Sequence, residues 1–244
     1  MRGRSRVAIV TGGSSGIGLE VGRRLVAEGY DVVLTARTAS TLEAAAAEIG
    51  ARWTAADSAD PARFGAVVEA AGTVDLLVHA AGIMDGTFVR KESLDTFERV
   101  VRTNLLSAYV VSHVALASMG PGGRIVFLSS SSAHSPQPGR SAYSASKAGL
   151  NAFASALAKE VERDGIAVHV LTTGPVATPM LDDVRFPMRT LGVAEVAEAV
   201  LWLDALPGNV VLPEVRLSSV ESGPFAPEAF VPEAARRLGR TELG

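Results

Sequence analysis

Short β-branched runs alternate with Ala/Leu/Glu-rich stretches of helical period, and this alternation restricts the chain more than any other feature. The runs cover residues 6–11, 31–35 and 74–79, with a weaker one at 51–55; the stretches between them cover 16–28, 40–49 and 61–71. Strands separated by helices of this length predict βαβ units and a parallel sheet. The rhythm continues with a long helical stretch over about 93–119 and a strand at 123–129. A helix near 142–164 follows, then a strand at 166–171, a helix at 193–206 and a last strand at about 210–217. No linker, low-complexity tract or repeat interrupts it. One α/β domain with a sheet of about seven strands is expected over residues 1–219, followed by a tail at 220–244. Eight of the twelve prolines lie beyond residue 170. The irregular parts are therefore late: a loop over something at 178–190, and a tail with little room for a core.

Composition narrows the function. The chain has 244 residues, 48% hydrophobic and 20% charged, which suffices for a core. A net charge of -3 offers no field for nucleic acid. The absence of cysteine excludes disulfides, thiolate metal sites and a cysteine nucleophile, and fits a reducing, cytoplasmic setting. The basic start resembles a signal peptide only briefly, because the apolar residues 7–10 give way at once to Thr11-Gly12-Gly13. No run of 18 apolar residues exists, so no membrane span is expected.

The first strand leads into Thr11-Gly12-Gly13-Ser14-Ser15-Gly16-Ile17-Gly18, which opens the first helix. Glycines let the backbone turn tightly, and a helix start offers N–H groups to a diphosphate. A glycine-rich turn alone is only a turn; between a strand and a helix it reads as a dinucleotide site. The second strand ends in Leu34-Thr35-Ala36-Arg37-Thr38, without the carboxylate that would bind a ribose 2'-hydroxyl. Arg37 suits a 2'-phosphate, so NADP(H) is expected over NAD(H). Asp57 is read either as an adenine contact or as the cap of the helix that begins near Pro61. Tyr143 and Lys147 stand four residues apart on one helical face. An ammonium group held close to a phenol is expected to lower its pKa and make it a general acid or base.

With these motifs in order, the chain resembles the short-chain dehydrogenase/reductase family over about residues 6–217. The family's TGxxxGxG stands at 11–18. Asp75-Leu76-Leu77-Val78-His79-Ala80-Ala81-Gly82 stands where D-x-L-V-N-N-A-G is usual. Asn104, Ser130, Tyr143, Lys147 and Gly174-Pro175-Val176-Ala177-Thr178 follow at the family's spacing. The resemblance implies a doubly wound, Rossmann-type sheet. It also implies reduction of a carbonyl, or the reverse oxidation of an alcohol, with a nicotinamide cofactor. Tyr143 would handle the proton and Lys147 would tune it and bind the ribose. Ser130 would hydrogen-bond the substrate oxygen, and Asn104 would support a water that links Lys147 to solvent. The cofactor would lie on Gly12, Ser14, Ser15, Gly16, Ile17, Gly18, Ala80, Ala81, Gly82, Val176 and Thr178. Two departures stand out: His79-Ala80 replaces Asn-Asn, and Thr173 replaces a proline. His79 is expected to bond neighbouring strands through a ring nitrogen. The chain's ending resembles an NADP-preferring branch that holds hydroxy-acid, serine and clavulanate-type dehydrogenases. The alternative is a non-catalytic NADP-binding regulator on the same fold.

The substrate pocket is expected between Ser132, His134, Gln137 and Arg140 on one side and an apolar lid of Met180, Leu181, Val184, Phe186 and Met188 on the other. Arg140 reads as an exposed loop arginine rather than a partner for a carboxylate. A small or medium carbonyl compound is the expected substrate. Apolar residues extend beyond one face of the helices of Asn104 and Tyr143; core packing explains some of them, and the resemblance implies that both helices also pair with symmetry mates in a homodimer or homotetramer.

Overall fold

A computed structural model describes residues 4–181, 189–208 and 210–219. The tail from 220 and Val184, Phe186 and Met188 of the expected lid lie outside the described residues. Seven parallel strands form one sheet in the order β3-β2-β1-β4-β5-β6-β7. They are β1 (Val7–Thr11), β2 (Asp31–Ala36), β3 (Arg52–Ala55), β4 (Leu76–His79), β5 (Arg124–Ser130), β6 (Ala167–Thr173) and β7 (Glu214–Leu217). The helices are α1 (Gly16–Ala27), α2 (Ala39–Ile49), α3 (Pro61–Ala71), α4 (Leu94–Val101), α5 (Ser107–Ala115), α6 (Ser141–Val161) and α7 (Val193–Asp204). The fold is the single α/β domain with a parallel sheet that the alternation predicts, doubly wound as the resemblance implies.

Sequence period explains the layers. The first three helices each bury positions i, i+3, i+4 and i+7: Gly18, Val21, Gly22 and Leu25; Leu42, Ala45, Ala46 and Ile49; Phe64, Val67, Val68 and Ala71. That is one stripe of a 3.6-residue helix. Strand residues alternate between two cores. Ile9, Leu77, Ile125 and Phe127 pack under α3, α5 and α6. Ala8, Val10, Leu76, Val78, Val126 and Leu128 pack under α1, α2 and α7. A sheet buried on both faces reads as continuous apolar runs, which is how these strands stand in the sequence.

Two expectations shift. The last strand begins at Glu214 rather than near 210, since Pro213 enters the ladder only as an acceptor, for Val170 N–H. The long helix near 93–119 is not uniform: a π-helical turn, Arg102–Leu106, separates α4 from α5. The stretch Leu94–Ser118 has mean hydropathy 1.3 and is long and apolar enough to cross a membrane by length and composition. Here α5 packs on α3 and β4, and α4 on α6.

Phe64 is fully buried on α3, in the core between that helix and the sheet. Replacing it with alanine should cost about 3–5 kcal/mol in urea unfolding.

Candidate active site

The carboxyl edge of the sheet gathers residues from distant parts of the chain. Thr11 pairs with His79 across β1 and β4, and Ser130 with Thr173 across β5 and β6. Beyond Thr11 the backbone turns through Gly12 (φ 67°) and Gly16 (φ 55°), left-handed values that favour glycine. A Cβ on Gly12 would lie 2.9 Å from Ala81 N, and one on Gly18 only 2.3 Å from Gly12 O. The turn therefore sits tightly on the Ala80-Ala81 backbone and on the start of α1. Ser15 is the N-cap, but its hydroxyl makes no capping bond, so the first N–H groups of α1 have no side-chain acceptor. Ser14 borders the same turn, and Ile17 packs into the core beneath it. Thr178 reaches the turn from the far side, its methyl carbon 3.4 Å from where a Gly16 Cβ would stand. Val176 is buried and bridges to Leu191, which anchors that loop. This side-chain-free cradle at a helix start fits a dinucleotide diphosphate. Arg37, just past β2, is exposed and has no hydrogen-bond or ion-pair partner among the described residues. Asp57 neither caps α3 nor stands free. Asp60 takes the cap, accepting from Ala62 and Arg63 N–H, while Asp57 accepts from Ala59 N–H at 2.9 Å and faces Arg102 at 3.8 Å.

The structure brings Asn104, Ser130, Tyr143 and Lys147 to one place. A Cβ on Gly82 would stand 3.3 Å from Asn104 Oδ1 and 3.6 Å from Lys147 Nζ, so both groups border the same glycine. Asn104 is fully buried in the π-turn. Its Oδ1 accepts from Ile83 N–H at 2.8 Å; its Nδ2 donates to Ile83 O at 2.9 Å and to Ser146 Oγ at 3.0 Å. Lys147 Nζ donates to Leu128 O at 2.8 Å and stands 5.9 Å from the centre of the Tyr143 ring. Among the four consecutive serines, Ser129 bonds Asn151 at 2.6 Å and Ser130 is the one beside the Tyr143 phenol.

The electrostatics correct one expectation. The Tyr143 phenol is pushed up from its ordinary pKa, chiefly by burial; the Ser130 hydroxyl and the charge of Arg140 pull it part of the way back. Lys147 does not lower it here, because the ammonium is directed at the Leu128 carbonyl. Burial also brings the Lys147 pKa down to about 8. Arg140 is half-buried at the start of α6, against the expectation of an exposed loop arginine.

The sequence also missed how far His79 reaches. Nδ1 lies 2.9 Å from Thr11 Oγ1, across the β1–β4 pair as expected, and Nε2 lies 3.0 Å from Ser107 Oγ on α5. The ring is buried edge-on to Phe127. Burial, and secondarily the charge of Lys147, lower its pKa to about 3. No sequence signal marks Ser107 or Ser146 as part of the site.

The signs of these shifts set a pH dependence. Between pH 6.5 and about 3 the unfolded chain binds a proton at His79 and the folded chain does not. This contribution is complete above pH 6.5 and falls below it, by up to about 1.4 kcal/mol per pH unit. Lys147 acts at the other end: between about 8 and 10.5 only the unfolded state keeps its proton, so stability rises with pH. Urea midpoints should fall from pH 7 to 5, and His79→Asn, which does not titrate, should flatten that slope.

Comparison with known proteins gives the same reading. A model of the short chain dehydrogenase family matches residues 6–188. A 2-dehydro-3-deoxy-L-rhamnonate dehydrogenase (NAD(+)) from Sphingomonas sp. is 36% identical over 214 residues, 80% of this chain and 86% of that protein. An acetoacetyl-CoA reductase from Acinetobacter sp. is 34% identical over 233 residues, 86% of this chain and 94% of that one. The crystal structure of a short chain dehydrogenase from Burkholderia cenocepacia in complex with NADP superposes with a TM-score of 0.79 at 33% identity, covering 87% of this chain and 95% of that one. The glycine cradle, the buried Tyr143–Lys147 pair and these matches make the chain a member of the short-chain dehydrogenase/reductase family, an oxidoreductase that works between carbonyl and alcohol with a nicotinamide cofactor.

Proposed function

We propose that the chain is an NADP(H)-dependent reductase of small or medium carbonyl compounds, with the catalytic domain in residues 1–219 and Tyr143 as the general acid. The observation that carries this reading is the convergence of Ser130, Tyr143, Lys147 and Asn104 beside the glycine cradle. When bound, the cofactor supplies hydride to the carbonyl carbon. The Ser130 hydroxyl donates to the carbonyl oxygen and fixes its position beside the phenol. Tyr143, protonated at neutral pH because burial raises its pKa, gives its proton to that oxygen as charge develops there. Lys147 holds the nicotinamide ribose, and its pKa near 8 lets it pass a proton on to Tyr143 near neutral pH. Asn104, spanning Ile83 and Ser146, keeps the π-turn open beside Lys147 for a water that leads to solvent.

The cofactor preference rests on Arg37: a guanidinium past β2 without a partner among the described residues, at a strand end whose sequence carries no carboxylate, suits a 2'-phosphate. One relative is named for NAD(+) and one related structure holds NADP, so this choice belongs to the chain's own residues. The branch of NADP-preferring hydroxy-acid dehydrogenases remains the preferred placement. The homo-oligomer reading is supported by a groove of about 490 Å³ along α4, the π-turn and the start of α5, lined by Phe97, Val101, Leu105, Leu106 and Tyr109. Phe97, Leu106 and Tyr109 are exposed apolar residues that line this groove, and a second copy related by a two-fold axis would cover them.

NADPH oxidation followed at the absorbance of the reduced nicotinamide, over a panel of ketones, aldehydes and oxo acids, tests the activity. Tyr143→Phe should lower kcat by about 10²–10⁴ while the Kd for NADPH stays near the parent value. Tight NADPH binding with no turnover across the panel would instead favour the non-catalytic regulator. Arg37→Asp should weaken NADPH far more than NADH; equal parent affinities for the two would remove the NADP(H) assignment. Gel filtration should give a dimer or tetramer, and Leu106→Glu with Tyr109→Glu should shift it toward monomer.

A further inference from the structure

We infer that His79 is a positioning residue with two separable tasks, one for each ring nitrogen: Nδ1 holds the dinucleotide turn, and Nε2 holds the π-turn that carries Asn104. The inference rests on the nicotinamide site described above.

The hydrogen positions follow from the partners. Ser107 Oγ lies 2.6 Å from Thr103 O, which can only accept, so the Ser107 hydroxyl donates there. Ser107 Oγ then has only lone pairs left for His79, and Nε2 must carry the ring proton. Nδ1 is therefore the acceptor, and the Thr11 hydroxyl donates to it. Thr11 Oγ1 in turn accepts from Ala81 N–H at 3.1 Å. Every proton in the set has one place, and the imidazole is held as a single neutral tautomer.

Each end of this chain meets a working part of the site. Thr11 is the last residue of β1 and immediately precedes Gly12, whose turn packs on Ala81. Thr11, Nδ1 and Ala81 thus fix the two backbones that form the floor of the cradle. Ser107 closes the π-turn at the other end: its backbone N–H donates to Arg102 O, the bond that makes the turn a π-turn. Its side chain, braced by Nε2, holds Thr103, the neighbour of Asn104. A buried apolar ring could fill the same space but could not brace either end. A charged ring would require a second hydrogen on Nδ1, opposing the Thr11 hydroxyl.

Side-chain amides separate the two tasks. An asparagine amide reaches about as far as Nδ1, and a glutamine amide about as far as Nε2. His79→Asn should keep the Kd for the preferred reduced nicotinamide cofactor, measured by its fluorescence, and lower kcat by about ten- to hundredfold as the π-turn relaxes. His79→Gln should keep kcat at saturating cofactor and raise that Kd by about tenfold. Ser107→Ala should behave like the Asn variant and Thr11→Val like the Gln variant; both leave the ring in place, so they serve if a His79 variant does not fold. Loss of both parameters together in all four variants, or lowered thermal stability with kcat and Kd unchanged, would overturn the inference. A parent that binds no reduced nicotinamide cofactor, or turns over no carbonyl, would instead count against the functional reading on which it rests.

Discussion

Parallel pairing of β1 with β4 is the constraint on which the site depends. The first half of the chain is laid outward from β1 as β2 and β3, and the second half outward from β4 as β5, β6 and β7. The helices that follow β1 and β4 therefore leave the sheet to opposite faces. That divergence opens a crevice at the carboxyl ends of the strands, and the glycine turn enters it directly from β1. Without this pairing Thr11 and His79, 68 residues apart in sequence, would not meet. The Ala81 backbone would then have no reason to lie against Gly12.

Charge is handled in this crevice by scarcity. Lys147 is buried, donates to a backbone carbonyl and has no carboxylate partner among the described residues. Such a cation tolerates few other charges nearby. Asn104 and Ser146 neighbour it with neutral groups, and His79 stays uncharged. Both ionisable groups of the pair are displaced toward their neutral forms, the lysine by losing affinity for its proton and the tyrosine by gaining it. Their pKa values have moved toward and away from neutrality for one reason, the removal of water.

What the sequence disclosed depends on how locally each property is encoded. The stripe of Phe64, Val67, Val68 and Ala71 lies within eight residues and is visible as period alone. The cradle at Gly12, Gly16 and Gly18 is likewise local, and Tyr143 and Lys147 are one helical turn apart. The π-turn is not visible, because no glycine or proline marks residues 102–106 and the bond that defines it belongs to the backbone. The bonds of Asn104 to Ile83 and Ser146 join segments 21 and 42 residues away. The upward shift of Tyr143 is hidden from the sequence for the same reason. Proximity to a lysine is a sequence property, whereas burial and the direction in which that lysine points are products of packing.

The π-turn at Arg102–Leu106 amounts to one residue beyond what an α-helix needs. A residue advances an α-helix by about 100°, so α5 is rotated by that much relative to an uninterrupted continuation of α4. Only Val100 is buried on α4, while six of the nine residues of α5 are. The single additional residue thus lets one helical rod show one side to the outside and then a different side to the sheet. Shortening the chain there by one residue would leave length, composition and hydropathy almost unaltered. It would also turn Ser107, Val111 and Ala115 away from the places they fill, as a missing letter shifts every word that follows it.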